Sequence, residues 1–278
     1  HTVEVQKKCF ELGISDFIAK PFNNAIIKQR VKNTAEFFDY KLKLEDKVAE
    51  QTNVLRKAYR TLQIQAEYLQ KKNQQIIEML GTVVEYRSTE SGEHIQRVKG
   101  YTRILAEAVM EDYPEYELTK EKIDIIESVS VLHDIGKIAI PDRILLKPGR
   151  LTAEEFEYMK SHTIRGCELL DSIKEDWNDD TMKYAYEICR HHHERYDGKG
   201  YPDGLVGDEI PICAQLVSVA DVYDALVNER CYKDAFSKED AYRMIITGEC
   251  GVFSPKLMES FRKVRPAFEK LANKSFRK

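Results

Sequence analysis

Residues 191–202 read His191-His192-His193-Glu194-Arg195-Tyr196-Asp197-Gly198-Lys199-Gly200-Tyr201-Pro202, three histidines running into a glycine-punctuated turn that ends in Tyr-Pro. Outward from this stretch, the other histidines fall among particular acidic partners. His162 lies upstream, then the adjacent pair His133-Asp134, then His94 with Glu90 four residues before it, while Asp221 follows downstream. Six of the seven histidines join this pattern, which offers imidazole nitrogen and carboxylate oxygen with no cysteine at ligand spacing. Such donors suit iron, manganese, zinc or cobalt in a hydrolytic site better than a Cys-rich structural zinc knot. Metal-assisted hydrolysis is the chemistry they imply.

At 278 residues and 42% hydrophobic content, the chain has room for one large domain or two smaller ones of ordinary globular character. No run of about 18 apolar residues and no signal peptide is present, so the sequence implies no membrane and a cytoplasmic location. Cys9, Cys167, Cys189, Cys213, Cys231 and Cys250 are scattered without a C-x-x-C pair and read as reduced, mostly buried thiols. Charge is uneven: residues 1–86 carry 14 basic against 11 acidic side chains, and the remainder 29 against 36. An acidic catalytic half argues against a nucleic-acid polymer as partner. A small phosphate ester remains compatible, because bound cations offset carboxylates locally.

The chain opens on His1, already inside what reads as a helix, so its start is expected to be an imposed or cleaved boundary. Residues 1–38 read as helix, short strand at Asp16-Phe17-Ile18-Ala19, and a second helix from Asn24 to Phe38. The segment Glu11 to Phe22, with Lys20-Pro21-Phe22 at its end, resembles the C-terminal part of a response-regulator receiver domain. The resemblance implies that Lys20 is the switch lysine and that the phosphoacceptor aspartate lies upstream of this chain. Apolar residues then recur every seven positions at Val48, Leu55, Leu62, Leu69, Ile76 and Val83. That spacing predicts a long helix with a coiled-coil seam over 39–86 and a homodimer through it, although Gln51, Gln65 and Lys72 interrupt the companion positions. From residue 87 onward the pattern is helix after helix. Thr152-Ala153-Glu154-Glu155 is a capping box opening a helix expected to run past His162, and Ser254-Pro255 supplies an N-cap and first-turn proline.

Adjacent His133-Asp134 with further histidines elsewhere resembles the HD phosphohydrolase superfamily. His192-His193-Glu194-Arg195-Tyr196-Asp197-Gly198-Lys199-Gly200-Tyr201-Pro202 is similar to the HHExxDGxGYP signature of the HD-GYP subfamily, whose members degrade the second messenger cyclic di-GMP. The expected fold class is therefore mostly α: an all-helical HD-type domain over 87–278, a helical coiled-coil linker over 39–86 and a small α/β receiver fragment over 1–38. The resemblance implies metal ligands His94, His133, Asp134, His162, His192, His193 and Asp221, with Asp134 bridging two cations. Glu90 at i−4 from His94 resembles members that hold a third metal, so two or three divalent ions, iron or manganese, are expected. The Glu, Asp, Gly and Tyr-Pro positions fix the register on His192-His193, leaving His191 as a surface or supporting residue.

With His133-Asp134 read on a helix, Lys137, three residues after Asp134, is expected to overhang the same patch as a compact cation neutralising phosphate or leaving-group charge. Asp134 and Lys137 are the candidate catalytic pair. Resemblance assigns Arg230 and Lys233 to guanine or phosphate groups, and the Gly198–Pro202 turn offers Tyr201 as an aromatic for stacking. The implied reaction opens cyclic di-GMP to pGpG, with onward conversion to GMP left open, within a two-component protein for which a sensor histidine kinase or diguanylate cyclases are candidate partners. Two alternatives stay open: an HD-type hydrolase of another cyclic dinucleotide or nucleotide, and a non-catalytic cyclic di-GMP scaffold. The stretch Asp171 to Tyr186, acidic and containing Trp177, is expected to alter loop geometry beside the site.

Overall fold

The computed structural model describes residues 2–14, 18, 20–21, 23–88, 92–173, 177, 179–229 and 235–274. Among them the chain is helical and contains no strand, the nearest approach being an isolated bridge between Asp197 and Val206. It divides into two compact units, His1–Leu69 and Gln70–Lys278. The first holds α1 (Thr2–Glu11) and the start of α2 (Asn24–Arg87), and none of its described side chains is buried. The expected strand at 16–19 falls largely outside the described residues. Asn23 heads α2 by accepting from Ala25 N–H at 2.8 Å, a favourable N-cap arrangement. No helix end marks residues 38/39, since 24–87 run as one helix without proline. Among the described residues no helix is long and apolar enough to cross a membrane.

The second unit is built around α3 (Gly92–Asp112), which packs on α4 (Lys120–Val129), α9 (Ile212–Val227) and α11 (Pro255–Ala272). Its inward face, Ile95, Val98, Tyr101, Leu105 and Val109, follows the i, i+3, i+4 spacing of one helix side and is fully buried. Tyr101 stacks on Phe268 at 4.6 Å and meets Tyr223 edge-on at 5.2 Å, tying α3, α9 and α11 together. α9 is apolar nearly all round because helices cover it on several sides. The remaining elements are α5 (Asp142–Leu145), α6 (Ala153–Lys160), α7 (His162–Asp171), α8 (Asp179–His191) and α10 (Lys238–Ile246).

Three local expectations need correction. The Thr152–Glu155 capping box is present, with Thr152 N–H donating to Glu155 Oε2 at 2.7 Å, but its helix stops at Lys160 and a new one starts at His162. Ser161 makes the break: its hydroxyl donates to Tyr158 carbonyl oxygen at 2.6 Å, a local bond that competes with the helical ladder. Second, His133-Asp134 stands between two 3-10 turns, Ser130–Leu132 and Ile135–Ala139, rather than on an α-helix. Third, Ser254 occupies the N-cap position of α11 ahead of Pro255 but makes no side-chain capping bond.

Candidate metal centre

A close approach of backbone to backbone creates the site. Gly136 sits against the first turn of α7 so tightly that a Cβ there would lie 1.8 Å from His162 carbonyl oxygen. Only glycine allows this contact, and it brings Asp134 and His162 together from separate elements. The turn that follows α8 delivers His192 and His193 to the same place. One ligand atom each from Asp134, His162, His192 and His193 falls within 4.8 Å of the others.

Hydrogen bonds on the far side of the rings fix how they face. His133 Nδ1 donates to Ser130 carbonyl oxygen at 2.8 Å, His162 Nδ1 to Met159 carbonyl oxygen at 2.8 Å, and His192 Nδ1 to Ile188 and Cys189 carbonyl oxygens at 3.0 and 3.1 Å. A carbonyl can only accept, so the proton of each neutral ring sits on Nδ1 and the Nε2 lone pair faces inward. The three Nε2 atoms lie 3.2 Å (His133), 3.3 Å (His162) and 3.9 Å (His192) from Asp134 carboxylate oxygens, are buried and have no hydrogen-bond partner. Lone pairs converging on a buried carboxylate repel one another unless a cation stands among them. The donor set therefore fits a divalent metal.

A second group adjoins the first. Glu85, at the end of α2, places a carboxylate oxygen within 4.8 Å of ring nitrogens of His94 and His133, and all three residues are buried. His94 Nδ1 is held by Asp224 Oδ2 at 2.7 Å, and its Nε2 lies 3.9 Å from Asp221 Oδ1. The rings of His94 and His133 are 5.8 Å apart, so the two groups form one continuous centre. Glu90, Arg230 and Lys233 lie outside the described residues. Lys137 Nζ stands 2.6 Å from Asp134 Oδ2. In a 3-10 turn residues i and i+3 eclipse, which explains why the pair meets without an α-helix. Tyr201 lies over His193 with ring centroids 4.7 Å apart, and Lys160 Nζ sits 5.6 Å from the Tyr201 ring.

Glu194, which the motif alone leaves without a role, is buried and accepts from the N–H groups of Asp203, Gly204 and Leu205 at 2.7, 3.0 and 3.1 Å. It shapes the turn that presents Tyr201. His191 faces away, its Nε2 3.0 Å from Asp203 Oδ2 beside the Arg190–Asp203 ion pair. The residues that sequence reasoning missed are Glu85, Arg87, Arg97 and Asp224.

Burial keeps His162, His192 and His193 neutral and so ready for metal. Burial holds His192 down to about 3, helped by His133 beside it, and burial likewise lowers His162 and His193. Burial would lower His133 too, but the Asp134 carboxylate outweighs it and lifts His133 to about 10. Burial opposes ionisation of Asp134, yet Lys137 and His133 hold its carboxyl well below the usual carboxylate range. An unfolded histidine titrates near 6.5. Below that value the unfolded chain binds protons that His162, His192 and His193 refuse, so stability falls with falling pH. Above it, folded His133 keeps a proton the unfolded chain has lost, so that contribution fades as pH rises toward about 10. Metal-free protein is therefore expected to melt highest near neutral pH, with lower Tm at pH 5 and at pH 10. A Tm that is flat across this range in thermal scans contradicts the assignment.

Residues 90–251 match the HD domain family, more than half of the chain, and the chain belongs to that family. It is 36% identical over 259 residues to a probable cyclic di-GMP phosphodiesterase of Vibrio cholerae, covering 91% of this chain and 56% of that one. It is 33% identical over 267 residues to a cyclic di-GMP phosphodiesterase response regulator of Xanthomonas campestris, covering 96% and 66%. The chain thus spans between about half and two thirds of the length of these relatives. The crystal structure of a cyclic GMP-AMP specific phosphodiesterase of V. cholerae shares the fold, with a TM-score of 0.52 at 17% identity over 73% of this chain and 51% of that one.

Proposed function

We propose that this chain is the output part of a two-component protein, a metal-dependent phosphodiesterase of HD-GYP type that opens cyclic di-GMP to pGpG and continues to GMP. The observation that carries the reading is the convergence of three outward-anchored histidines on Asp134, in a chain 36% identical to a relative named for that activity. His133, Asp134, His162, His192 and His193 would hold one part of a divalent centre, and His94, Asp221, Glu85 and Glu90 the part that accepts a further cation. Iron or manganese fits this N/O set. Bound cations supply Lewis-acid charge for the phosphate oxygens and lower the pKa of a water that attacks in line.

The protein groups do the rest. Asp134 supplies the anionic charge that offsets the cations, and Lys137 presents an ammonium at the same edge to neutralise the leaving oxygen. Tyr201, fixed by the Glu194 turn, offers a ring for a guanine base, and Arg230 and Lys233 are assigned to the phosphate or base edges of the substrate. The response-regulator relative, aligned over 96% of this chain, supports reading 1–38 as the end of a receiver domain, 39–86 as linker and 87–278 as the catalytic domain. Such an output would answer to a sensor histidine kinase, with diguanylate cyclases as further partners, in the cytoplasm where cyclic di-GMP is made. Anaerobically purified protein should carry two or three iron or manganese ions and convert cyclic di-GMP to pGpG and GMP by chromatography. Turnover of cyclic GMP-AMP but not cyclic di-GMP overturns the substrate, and binding without turnover in fully loaded protein overturns the enzyme.

The seam on α2 supports a homodimer. Val48, Leu55, Leu62, Leu69, Ile76 and Val83 are all more than half exposed, an apolar row that a second copy would cover. Leu62→Lys with Leu69→Lys is expected to shift the protein to monomer in light scattering, because charges replace apolar knobs. A monomeric unmodified chain removes the seam.

A further inference from the structure

The last turns of α2 run into the metal centre. Gly81 permits this: a Cβ there would lie 2.8 Å from Val131 carbonyl oxygen, in the turn that precedes His133. One turn on, Val84 and Glu85 are buried, with Glu85 facing His94 and His133. The final residue, Arg87, then reaches across to the backbone that follows Asp134. Its Nη1 donates to the carbonyl oxygens of Lys137 at 3.0 Å and Ile138 at 2.7 Å. Its Nη2 donates to Ile140 carbonyl oxygen at 2.7 Å and pairs with Asp142 Oδ1 at 2.7 Å. One guanidinium thereby gathers four acceptors from a six-residue segment. That segment leaves a short 3-10 turn, where the Lys137 carbonyl also accepts from Ile140 N–H at 3.0 Å.

We propose that Arg87 is a positioning residue for Lys137, fixing the Lys137–Asp142 backbone so that the ammonium stays over Asp134, and that this clamp makes hydrolysis depend on the placement of α2. The inference rests on the role given to Lys137 above. The planar fork of arginine is what spans several carbonyls at once; a lysine ammonium at the same position reaches fewer of them. A helix displacement of 1–2 Å, of the order seen when helices shift at interfaces, is enough to break bonds of 2.7–3.0 Å. On the outer side of the same turns Ile76 and Val83 are exposed, so a partner packed there acts on the rod that carries the clamp.

The test uses the whole chain loaded with manganese(II), with Arg87→Ala, Arg87→Lys, Lys137→Ala and the double variant Arg87→Ala/Lys137→Ala. Arg87→Ala is expected to lower kcat by about 10- to 100-fold, the usual cost of misplacing a catalytic group by about 1 Å, with KM and metal content unchanged. Arg87→Lys is expected to recover only part of the loss. In the Lys137→Ala background, removing Arg87 should cost less than about twofold more, because the group it positions is already gone. Independently of turnover, amide hydrogen exchange at Lys137 and Ile140 in the metal-free protein should accelerate in Arg87→Ala and Arg87→Lys, as their turn bonds lose support. Fully additive losses, or unchanged exchange at both amides, overturn the proposal; if Arg87→Ala fails to fold, Arg87→Lys carries the same two readouts. An unmodified protein that leaves cyclic di-GMP intact overturns the substrate reading alone, since the exchange measurement and turnover of bis(p-nitrophenyl) phosphate still decide whether Arg87 acts through Lys137.

Discussion

Asp134→Ala is expected to abolish hydrolysis of cyclic di-GMP and to strip metal from the protein while leaving it folded. The carboxylate faces His133, His162 and His192 at 3.2, 3.3 and 3.9 Å and Lys137 at 2.6 Å. Without it, the group around His162, His192 and His193 keeps only imidazoles beside the Lys137 ammonium, with no carboxylate to offset a dication there. The loss should exceed the roughly 10- to 100-fold change that follows removal of a residue that only supports a ligand. His133→Ala should act in the same direction, since its Nε2 lies 3.2 Å from the Asp134 carboxylate and its ring joins Glu85 and His94 in the adjoining group. Folding should survive, because the Lys137 ammonium, its side chain 16% exposed, can turn to water once the carboxylate is gone. Elemental analysis, circular dichroism and product chromatography on the same sample decide the matter. Turnover equal to that of the unmodified protein rules out Asp134 as a ligand.

The candidate ligands legible in the sequence are those whose partners lie within a few residues or within a long motif. His133-Asp134 and His192-His193 announce themselves by adjacency, and the structure gathers Asp134, His192 and His193 with His162 into one cluster while His133 groups with Glu85 and His94. The helical class was legible for the same reason, since periodic spacing and a capping box are local signals. Asp224 and Arg87 were not legible because their partners are far away in sequence: His94 is 130 residues from Asp224, and the carbonyls held by Arg87 are 50–53 residues on. Glu85 did leave a trace. It follows Ile77, Gly81 and Val84 at i+8 on the one buried stripe of α2, where an acidic side chain is out of place unless it has a polar task. The break at Ser161 was hidden because serine is tolerated inside helices, and only the tertiary packing of Gly136 against His162 makes a kink there useful.

Asp224→Ala is the variant expected to cost most in stability while leaving every ligand in place. Asp224 is 2% exposed and accepts from His94 Nδ1 at 2.7 Å, from Arg97 Nε and Nη2 at 2.6 and 3.1 Å, and from Asn228 Nδ2 at 3.0 Å. Removing it leaves the buried guanidinium of Arg97 facing Glu93 at 3.5 Å. Stranding one member of a buried pair costs about 3–5 kcal/mol. In a unit of this size that lowers Tm by about 10 °C or more. The second effect is separate: His94 loses the acceptor that pins its proton on Nδ1, so metal affinity at that group should fall by about 10- to 100-fold. Replacing both partners, Arg97→Met with Asp224→Leu, removes the stranded charge and should return much of the lost Tm, but it gives His94 no acceptor and so leaves metal affinity low. Thermal melts set against chelator competition separate the two effects. Recovery of metal affinity together with Tm in the double variant contradicts the view that Asp224 acts on the metal centre through His94.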